Sequence, residues 1–296
     1  MRFFDYAQPA SLDQAIALLQ RGGRDACVLA GGTDLLVQIK ENIRRPAQVV
    51  DIKRIPGMDD FAFDPEQGLR LGALVTTRAV ETSEVVQRHY AGLARAATDF
   101  ASIQVRNRAT IVGNVCRASP SADTLPPLIA DRATLLVQGP DGQRRVSLED
   151  FCQGPGRTAL RPDEIVTHLL VPPPPPHTGK VYLKHGRRAQ MELATVGVAV
   201  TLTLQPCWGR FANPSYLCNE VAIVLAAVAP TPLRARAAES RLRGESLTED
   251  AIAAAADAAA EECRPIGDVR ASADYRREMV RVLVRRALDQ AMEEAQ

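Results

Sequence analysis

Five consecutive prolines, Pro172 to Pro176, constrain this chain more than any other stretch. Each fixes φ at about −65° and lacks an N–H, so the run can be neither a helix interior nor a central strand. It favours a stiff, extended polyproline II spacer. Regularly patterned sequence lies on both sides, so a boundary accounts for the run without a proline-binding partner. At 296 residues the chain is long enough for two or three units. The patterning divides it into an α/β part over 1–55, an α+β part over 56–171, a proline-rich linker over 172–179 and a C-terminal region over 180–296.

The first part opens with a short strand, Arg2 to Tyr6. Ser11-Leu12-Asp13-Gln14 has the form of a capping box, with Ser11 as N-cap and Gln14 returning to its backbone. Ala15, Ile16, Leu18 and Leu19 then make one face of a helix that stops at Gly22-Gly23. Cys27-Val28-Leu29 predicts a strand, Ala30 to Leu36 a tight glycine turn leading into a helical or extended segment, and Val49 to Ile52 a further strand. The second part starts with a hairpin, Phe61 to Phe63 and Leu69 to Ala73. Helices follow from Thr77 to about Phe100, with Ser83 an internal cap and Leu93, Ala96 and Ala97 facing inward. A short helix from Asp123 to Ile129, a hairpin of Thr134–Gln138 with Arg144–Ser147, and a strand from Ile165 to Val171 complete it.

Beyond the prolines, Val181 to Lys184, Thr195 to Leu204 and Glu220 to Val228 read as strands, the last two joined by a loop from Gln205 to Asn219. Helices are predicted over Leu233–Leu242, Thr248–Cys263 and Ser272 to about Glu294. The last carries Tyr275, Met279, Val282, Leu283 and Leu288 on one side and a solvated, arginine-rich opposite side. Strands followed by packed helices make this an α+β layer arrangement.

A net charge of +1 argues against nucleic acid or acidic membranes as the main partner, and 4% aromatic residues disfavour a stacking platform for single strands. No apolar run approaches the roughly 20 residues of a membrane span, and the N-terminus lacks a signal peptide's apolar core. A cytoplasmic location follows as the expectation. The six cysteines form no CxxC or CxxxC pair and read as small buried hydrophobes, with Cys207 and Cys218 flanking one loop as the exception. The four histidines are scattered, and no nucleophilic triad is visible.

Two stretches carry chemistry: Ala30-Gly31-Gly32-Thr33-Asp34 and, about eighty residues on, Thr110-Ile111-Val112-Gly113-Asn114. Neither matches GxGxxG or GxxxxGK[ST]. A lone GG after a strand is an ordinary turn, but two such turns can grip one diphosphate through backbone N–H groups and the hydroxyls of Thr33 and Thr110, without a lysine. A carboxylate beside a diphosphate is repelled, so Asp34 is expected to fix its own turn by accepting backbone N–H bonds.

Val28 to Leu36, and Arg106 to Asn114 continuing through Ala118-Ser119-Pro120-Ser121-Ala122-Asp123-Thr124, resemble the two FAD-binding segments of the molybdenum hydroxylase family. The tail, notably Lys184-His185-Gly186-Arg187-Arg188 and Ala229-Pro230-Thr231-Pro232-Leu233-Arg234-Ala235, resembles the C-terminal domain of that family's medium, flavin-carrying subunit. The resemblance implies a two-part FAD-binding region of the vanillyl-alcohol-oxidase type followed by an α+β C-terminal domain. It places Leu29, Ala30, Gly31, Gly32, Thr33, Asp34 and Leu35 on one side of the FAD diphosphate, and Thr110, Gly113 and Asn114 on the other. Asp123 matches the residue that hydrogen-bonds the flavin's sugar-alcohol chain, Val166 an apolar position beside the cofactor, and Lys184 a lysine that approaches it. Val112 departs from the family's glycine. Cys116 stands where the hydroxybenzoyl-CoA reductase branch begins a cluster-binding insertion, but no further cysteines follow to complete four ligands.

The implied protein is an electron-transfer subunit with no catalytic acid or base of its own and no metal. Partner chains would be a large subunit carrying the molybdenum cofactor and a small one with [2Fe–2S] clusters, arranged as a dimer of heterotrimers. Electrons would pass to FAD and on to an external acceptor. The rival readings are a free-standing FAD reductase resembling the UDP-N-acetylenolpyruvoylglucosamine reductases, and a flavin-free scaffold or assembly subunit.

Overall fold

A computed structural model describes residues 3–188, 191–208 and 214–296. Its first sheet is built from β1 (Asp5–Ala7), β2 (Ala26–Leu29) and β3 (Gln48–Asp51), parallel and in the order β1-β3-β2, with α1 (Leu12–Gly22) and α2 (Leu35–Lys40) between them. The strand predicted from Arg2 begins at Asp5; Arg2 itself lies outside the described residues. Ser11 Oγ accepts the Gln14 N–H at 3.3 Å, but Gln14 Oε1 returns to the N–H of Ala10 rather than Ser11. Alternation along β3 buries both faces: Val49 joins Leu29 and Ile39 on the α2 side, while Val50 joins Ala15, Ile16 and Leu19 on the α1 side.

The second sheet opens with the hairpin β4 (Phe61–Asp64) and β5 (Gly68–Gly72). The predicted helical stretch is three helices, α3 (Thr77–Thr82), α4 (Glu84–His89) and α5 (Ala91–Asp99), with Ser83 Oγ capping α4 at the Val86 N–H. After α6 (Ile103–Arg106), α7 (Ile111–Arg117) and α8 (Leu125–Ala130) come β6 (Thr134–Gly139) and β7 (Gly142–Ser147), α9 (Leu148–Phe151), and a small hairpin of β8 (Cys152–Gly154) and β9 (Arg157–Thr158). β10 (Ile165–Val171) then inserts at the centre, giving the antiparallel order β4-β5-β10-β6-β7.

The proline run leads from β10 to the third sheet, β11 (Thr178–His185), β12 (Val196–Trp208), β13 (Pro214–Ala226) and β14 (Leu233–Arg234), antiparallel in sequence order. Both faces are covered. Tyr182, Ala199, Ala222 and Val224 pack into the core of the first two sheets. Their neighbours Val181, Val198, Val200, Ile223 and Leu225 pack under α10 (Arg236–Leu242), α11 (Glu249–Glu262) and α12 (Ala273–Ala295). This explains why β12 and β13 are nearly continuously apolar.

Three local expectations fail here. Gln205–Asn219 is largely ladder rather than loop: β12 and β13 stay paired out to Trp208 opposite Pro214, with a bulge that absorbs Asn219. Residues 209–213 fall outside the described set. Cys207 pairs with Ser215 and Cys218 with Leu204, so the two cysteines occupy different rungs of the ladder. The helix expected from Leu233 starts at Arg236, because Leu233 and Arg234 first pair with β13.

On α12 the buried face is Val280, Leu283, Val284, Ala287, Leu288 and Ala291, whereas Tyr275 is exposed. The arginine face is not wholly solvated either. Arg276 is 2% exposed and donates to Thr195 O (2.6 Å), Ala227 O (3.1 Å) and Asp268 Oδ1 (2.7 Å). It thereby ties the start of β12, the end of β13 and the approach to α12. No helix among the described residues is long and apolar enough to cross a membrane.

Two predictions follow from these buried charges. Arg276→Met removes the side-chain donor to two carbonyls and one of the donors to Asp268, and is expected to cost about 3 kcal/mol in urea unfolding. Glu164 is buried and takes Arg144 at 2.8 and 2.7 Å and the Arg161 N–H at 2.8 Å, and the Arg144 bonds hold its carboxyl below the usual range. A depressed acid stabilises the fold above its unfolded-state pKa and loses that contribution as pH falls through the folded value. Glu164→Gln should therefore flatten the acid limb of stability against pH, measured by urea midpoints below about pH 5.

Candidate functional site

The first turn is shaped by two glycines with different duties. Gly32 has φ of 78°, in the left-handed region, and its carbonyl accepts the Leu36 N–H at 3.1 Å. Gly31 is needed for close approach: a β-carbon there would lie 2.1 Å from the Arg108 carbonyl oxygen. The first turn therefore rests directly on the backbone that leads into the second. Leu29 and Leu35 turn their side chains into the small core around Ile39 and Val49, so they offer the turn only backbone. Ala30 packs against the main core, and the Thr33 hydroxyl makes no hydrogen bond among the described residues.

The second turn is anchored by a single antiparallel rung between Thr76 and Thr110, flanked by Thr77 N–H to Ala109 O (2.8 Å) and Ile111 N–H to Val75 O (3.2 Å). Thr110 Oγ1 accepts the Gly113 N–H at 2.9 Å and so caps α7. That amide is thus already engaged within the chain. Asn114 Oδ1 accepts from Thr124 Oγ1 at 2.7 Å, which leaves its Nδ2 to donate outward. Val112 sits in α7 with its side chain in the core, where branching does not intrude on the turn.

Asp34 does not cap its own turn. Its backbone is already helical (φ −101°, ψ −49°), whereas a capping residue needs extended backbone to bring its side chain onto the helix amides. Its carboxylate instead takes Arg117 Nε at 2.8 Å, from the end of α7, and the Gln38 side-chain amide. The ion pair spans the two turns, but both partners are about half exposed, so it locates them more than it stabilises them.

Asp123, on the segment between α7 and α8, is 5% exposed. Its Oδ1 accepts from Tyr182 Oη at 2.8 Å and its Oδ2 from Lys184 Nζ at 2.8 Å. Lys184 also donates to Asp99 O at 3.1 Å. Burial pushes the Asp123 carboxyl up from its ordinary value, against the pull of Lys184 and Tyr182, and burial with the neighbouring carboxylate raises Tyr182 far above its own. Two alternate residues of β11 thus meet one carboxylate.

The structure brings the 30–34 turn and the 110–114 turn together and pairs Asp123 with Lys184. Val166 turns its side chain into the core that it shares with Ile111, Val112 and Val115 of α7, and β10 packs directly against that helix as well as against residue 73, whose N–H donates to Thr167 O. Arg117 and Tyr182 went unread in the sequence. Tyr182 lies two residues before Lys184, a spacing that puts both on one face of a strand. His185, beside Lys184, contacts Tyr275 Oη at 3.0 Å instead. Among the described residues no group of three or more His, Cys, Asp or Glu could hold a metal ion.

A family model described as the FAD binding domain in molybdopterin dehydrogenase matches residues 2–174, and one described as the CO dehydrogenase flavoprotein C-terminal domain matches residues 181–291. The chain is 36% identical over 290 residues to the carbon monoxide dehydrogenase medium chain of Hydrogenophaga pseudoflava, covering 97% of this chain and 96% of that one. It is 30% identical over 291 residues to the xanthine dehydrogenase FAD-binding subunit of Escherichia coli O157:H7, with coverage of 98% and 96%. A chain of the solved H. pseudoflava carbon monoxide dehydrogenase lacking the Mo-pyranopterin moiety matches with a TM-score of 0.91 at 36% identity, covering 98% and 97%. One from the quinoline 2-oxidoreductase of Pseudomonas putida 86 matches at 0.89 and 28% identity, covering 100% and 99%. Matched along nearly its whole length in sequence and in fold, this chain belongs to the FAD-binding medium subunits of the molybdenum hydroxylase family, which includes the carbon monoxide and xanthine dehydrogenases.

Proposed function

We propose that the chain holds FAD across the two turns and serves as the electron-transfer subunit of a cytoplasmic molybdenum hydroxylase. Its partners are a large subunit with the molybdenum cofactor and a small one with [2Fe–2S] clusters, assembled as a dimer of heterotrimers. The observation that carries the reading is the contact of Gly31 with the Arg108 carbonyl. Two turns from different sheets meet there without intervening side chains, leaving the backbone amides of the 30–34 turn on one side and the Asn114 side-chain amide on the other available to one diphosphate.

The residues present suit the cofactor. The backbone from Leu29 to Leu35 lines one side of the diphosphate, with Thr33 free to donate its hydroxyl. Thr110, Gly113 and Asn114 line the other. Since the Gly113 amide is committed to Thr110, Asn114 Nδ2 is the donor on that side. Asp34 works at one remove, holding the turns through Arg117. Asp123 and Lys184 serve the sugar-alcohol chain, and Val166 contributes packing from the core beside it. Bound FAD would supply the redox chemistry between the partner clusters and an external acceptor, while the chain's own residues bind and orient it.

Two expected outcomes test this. The protein purified with its partners should be yellow, carry stoichiometric FAD, and bring molybdenum and iron with two further chains. A colourless, flavin-free preparation would support a scaffold instead, and a flavoprotein active without partners would support a free-standing reductase. Separately, Gly31→Ala puts a methyl group against the Arg108 carbonyl and should separate the turns. FAD affinity by flavin fluorescence should fall roughly tenfold or more, about 1.4 kcal/mol, with unfolding of the rest of the chain little changed.

A further inference from the structure

We propose that Tyr182 is a positioning residue that fixes the orientation and charge of Asp123, so that the third sheet governs how tightly the flavin's sugar-alcohol chain is held. The inference rests on the FAD reading above and deepens it.

Asp123 belongs to the segment between α7 and α8, yet both of its oxygens are engaged by one strand of the third sheet, Oδ1 by Tyr182 and Oδ2 by Lys184. Tyr182 is 1% exposed, and its hydroxyl has no water to turn to if the bond is lost. The room for that hydroxyl comes from Gly197 on β12, where a β-carbon would lie 3.1 Å from Tyr182 Oη. The two donors differ in freedom. Lys184 is flexible and shares its ammonium with Asp99 O, whereas Tyr182 is rigid, with two side-chain torsions and a ring locked in the core. Tyr182 is therefore the partner that sets the carboxylate plane. Each oxygen keeps a second lone pair, and those are the acceptors left for flavin hydroxyls.

The charged groups facing Asp123 are few. Lys184 on β11 favours the ionised carboxylate and Asp99 at the end of α5, itself paired with Arg95 at 3.0 Å, opposes it. Tyr182 keeps its own proton because burial and Asp123 both raise its pKa, so it acts as a pure donor. A buried carboxylate that loses a donor binds a proton more readily. Without Tyr182 the acceptor form of Asp123 survives only at higher pH, and flavin binding should fail earlier as pH is lowered.

The test measures FAD dissociation constants of the purified full-length chain, as wild type and as Tyr182→Phe, by flavin fluorescence from about pH 5 to 9. Far-UV circular dichroism and urea midpoints run alongside to register the fold. The expected result is a loss of roughly three- to tenfold at neutral pH, together with an upward shift in the pH at which affinity falls away. Gly197→Ala, which crowds the hydroxyl without removing it, should shift the profile in the same direction and covers the case in which Tyr182→Phe fails to fold. A uniform weakening parallel to wild type would reduce Tyr182 to packing and overturn the proposal, as would superimposed profiles. If wild type itself bound no FAD at any pH, the FAD reading would fall and this inference with it.

Discussion

The contact between Gly31 and the Arg108 carbonyl is the constraint on which the rest of the site depends. It brings a turn from a parallel three-stranded sheet against a turn whose anchor is a rung between Thr76 and Thr110, beside the second sheet. No hydrogen bond or ion pair could fix the separation as sharply, because backbone against backbone leaves nothing to rotate. Around this contact the remaining links are weak and local. The Asp34–Arg117 pair is half exposed, and the Thr110 cap serves α7 itself. Steric fit therefore sets the geometry of the pair of turns, and polar bonds only trim it.

The same economy does not hold where the third sheet meets the second. α8 is buried along its whole length, and a carboxylate stands beyond each of its ends. Asp123, before it, takes Tyr182 and Lys184; Asp131, after it, takes Lys180 at 2.8 Å and Thr201 at 2.8 Å. Lys180, Tyr182 and Lys184 are alternate residues of β11 and so share a face. Lys180 also lies 4.4 Å over the Tyr90 ring. Desolvating such pairs offsets much of their Coulombic attraction, so their main effect is to allow only one seating of β11 on α8.

Much of the fold was legible because its signals are local. Ser11, Ser83, Thr248 and Ser272 each cap the helix that the spacing predicts, and the 61–73 and 134–147 hairpins lie where their turn residues put them. The failures share a different cause. Gln205–Asn219 reads as a loop because of its prolines, yet pairing begun by the apolar stretches of β12 and β13 carries the ladder past them. Leu233 and Arg234 have helical character but find a free edge on β13. Arg276 looks like one more solvated arginine until the carbonyls of residues 195 and 227 arrive beside it. In each case the deciding partner is distant in sequence.

The site follows the same division. The glycines announce themselves, because a turn and a close approach demand them whatever lies around. What they approach does not. Asp34 reads in sequence as a residue for its own amides, but its helical backbone turns the carboxylate to Arg117, eighty-three residues on. Nor could Asp123 be understood alone, since burying an unpaired carboxylate is untenable and its partners lie on a strand that begins only after the prolines. That dependence gives the chain its functional unity. With Lys184 committed to Asp123 and Arg117 to Asp34, neither of these cations is free to neutralise a diphosphate, and the donors we propose for it are backbone amides, Thr33 and Asn114. Such neutral donors succeed only when held in place, and they are held where the first turn rests on the Arg108 backbone and where Thr124 fixes the Asn114 amide.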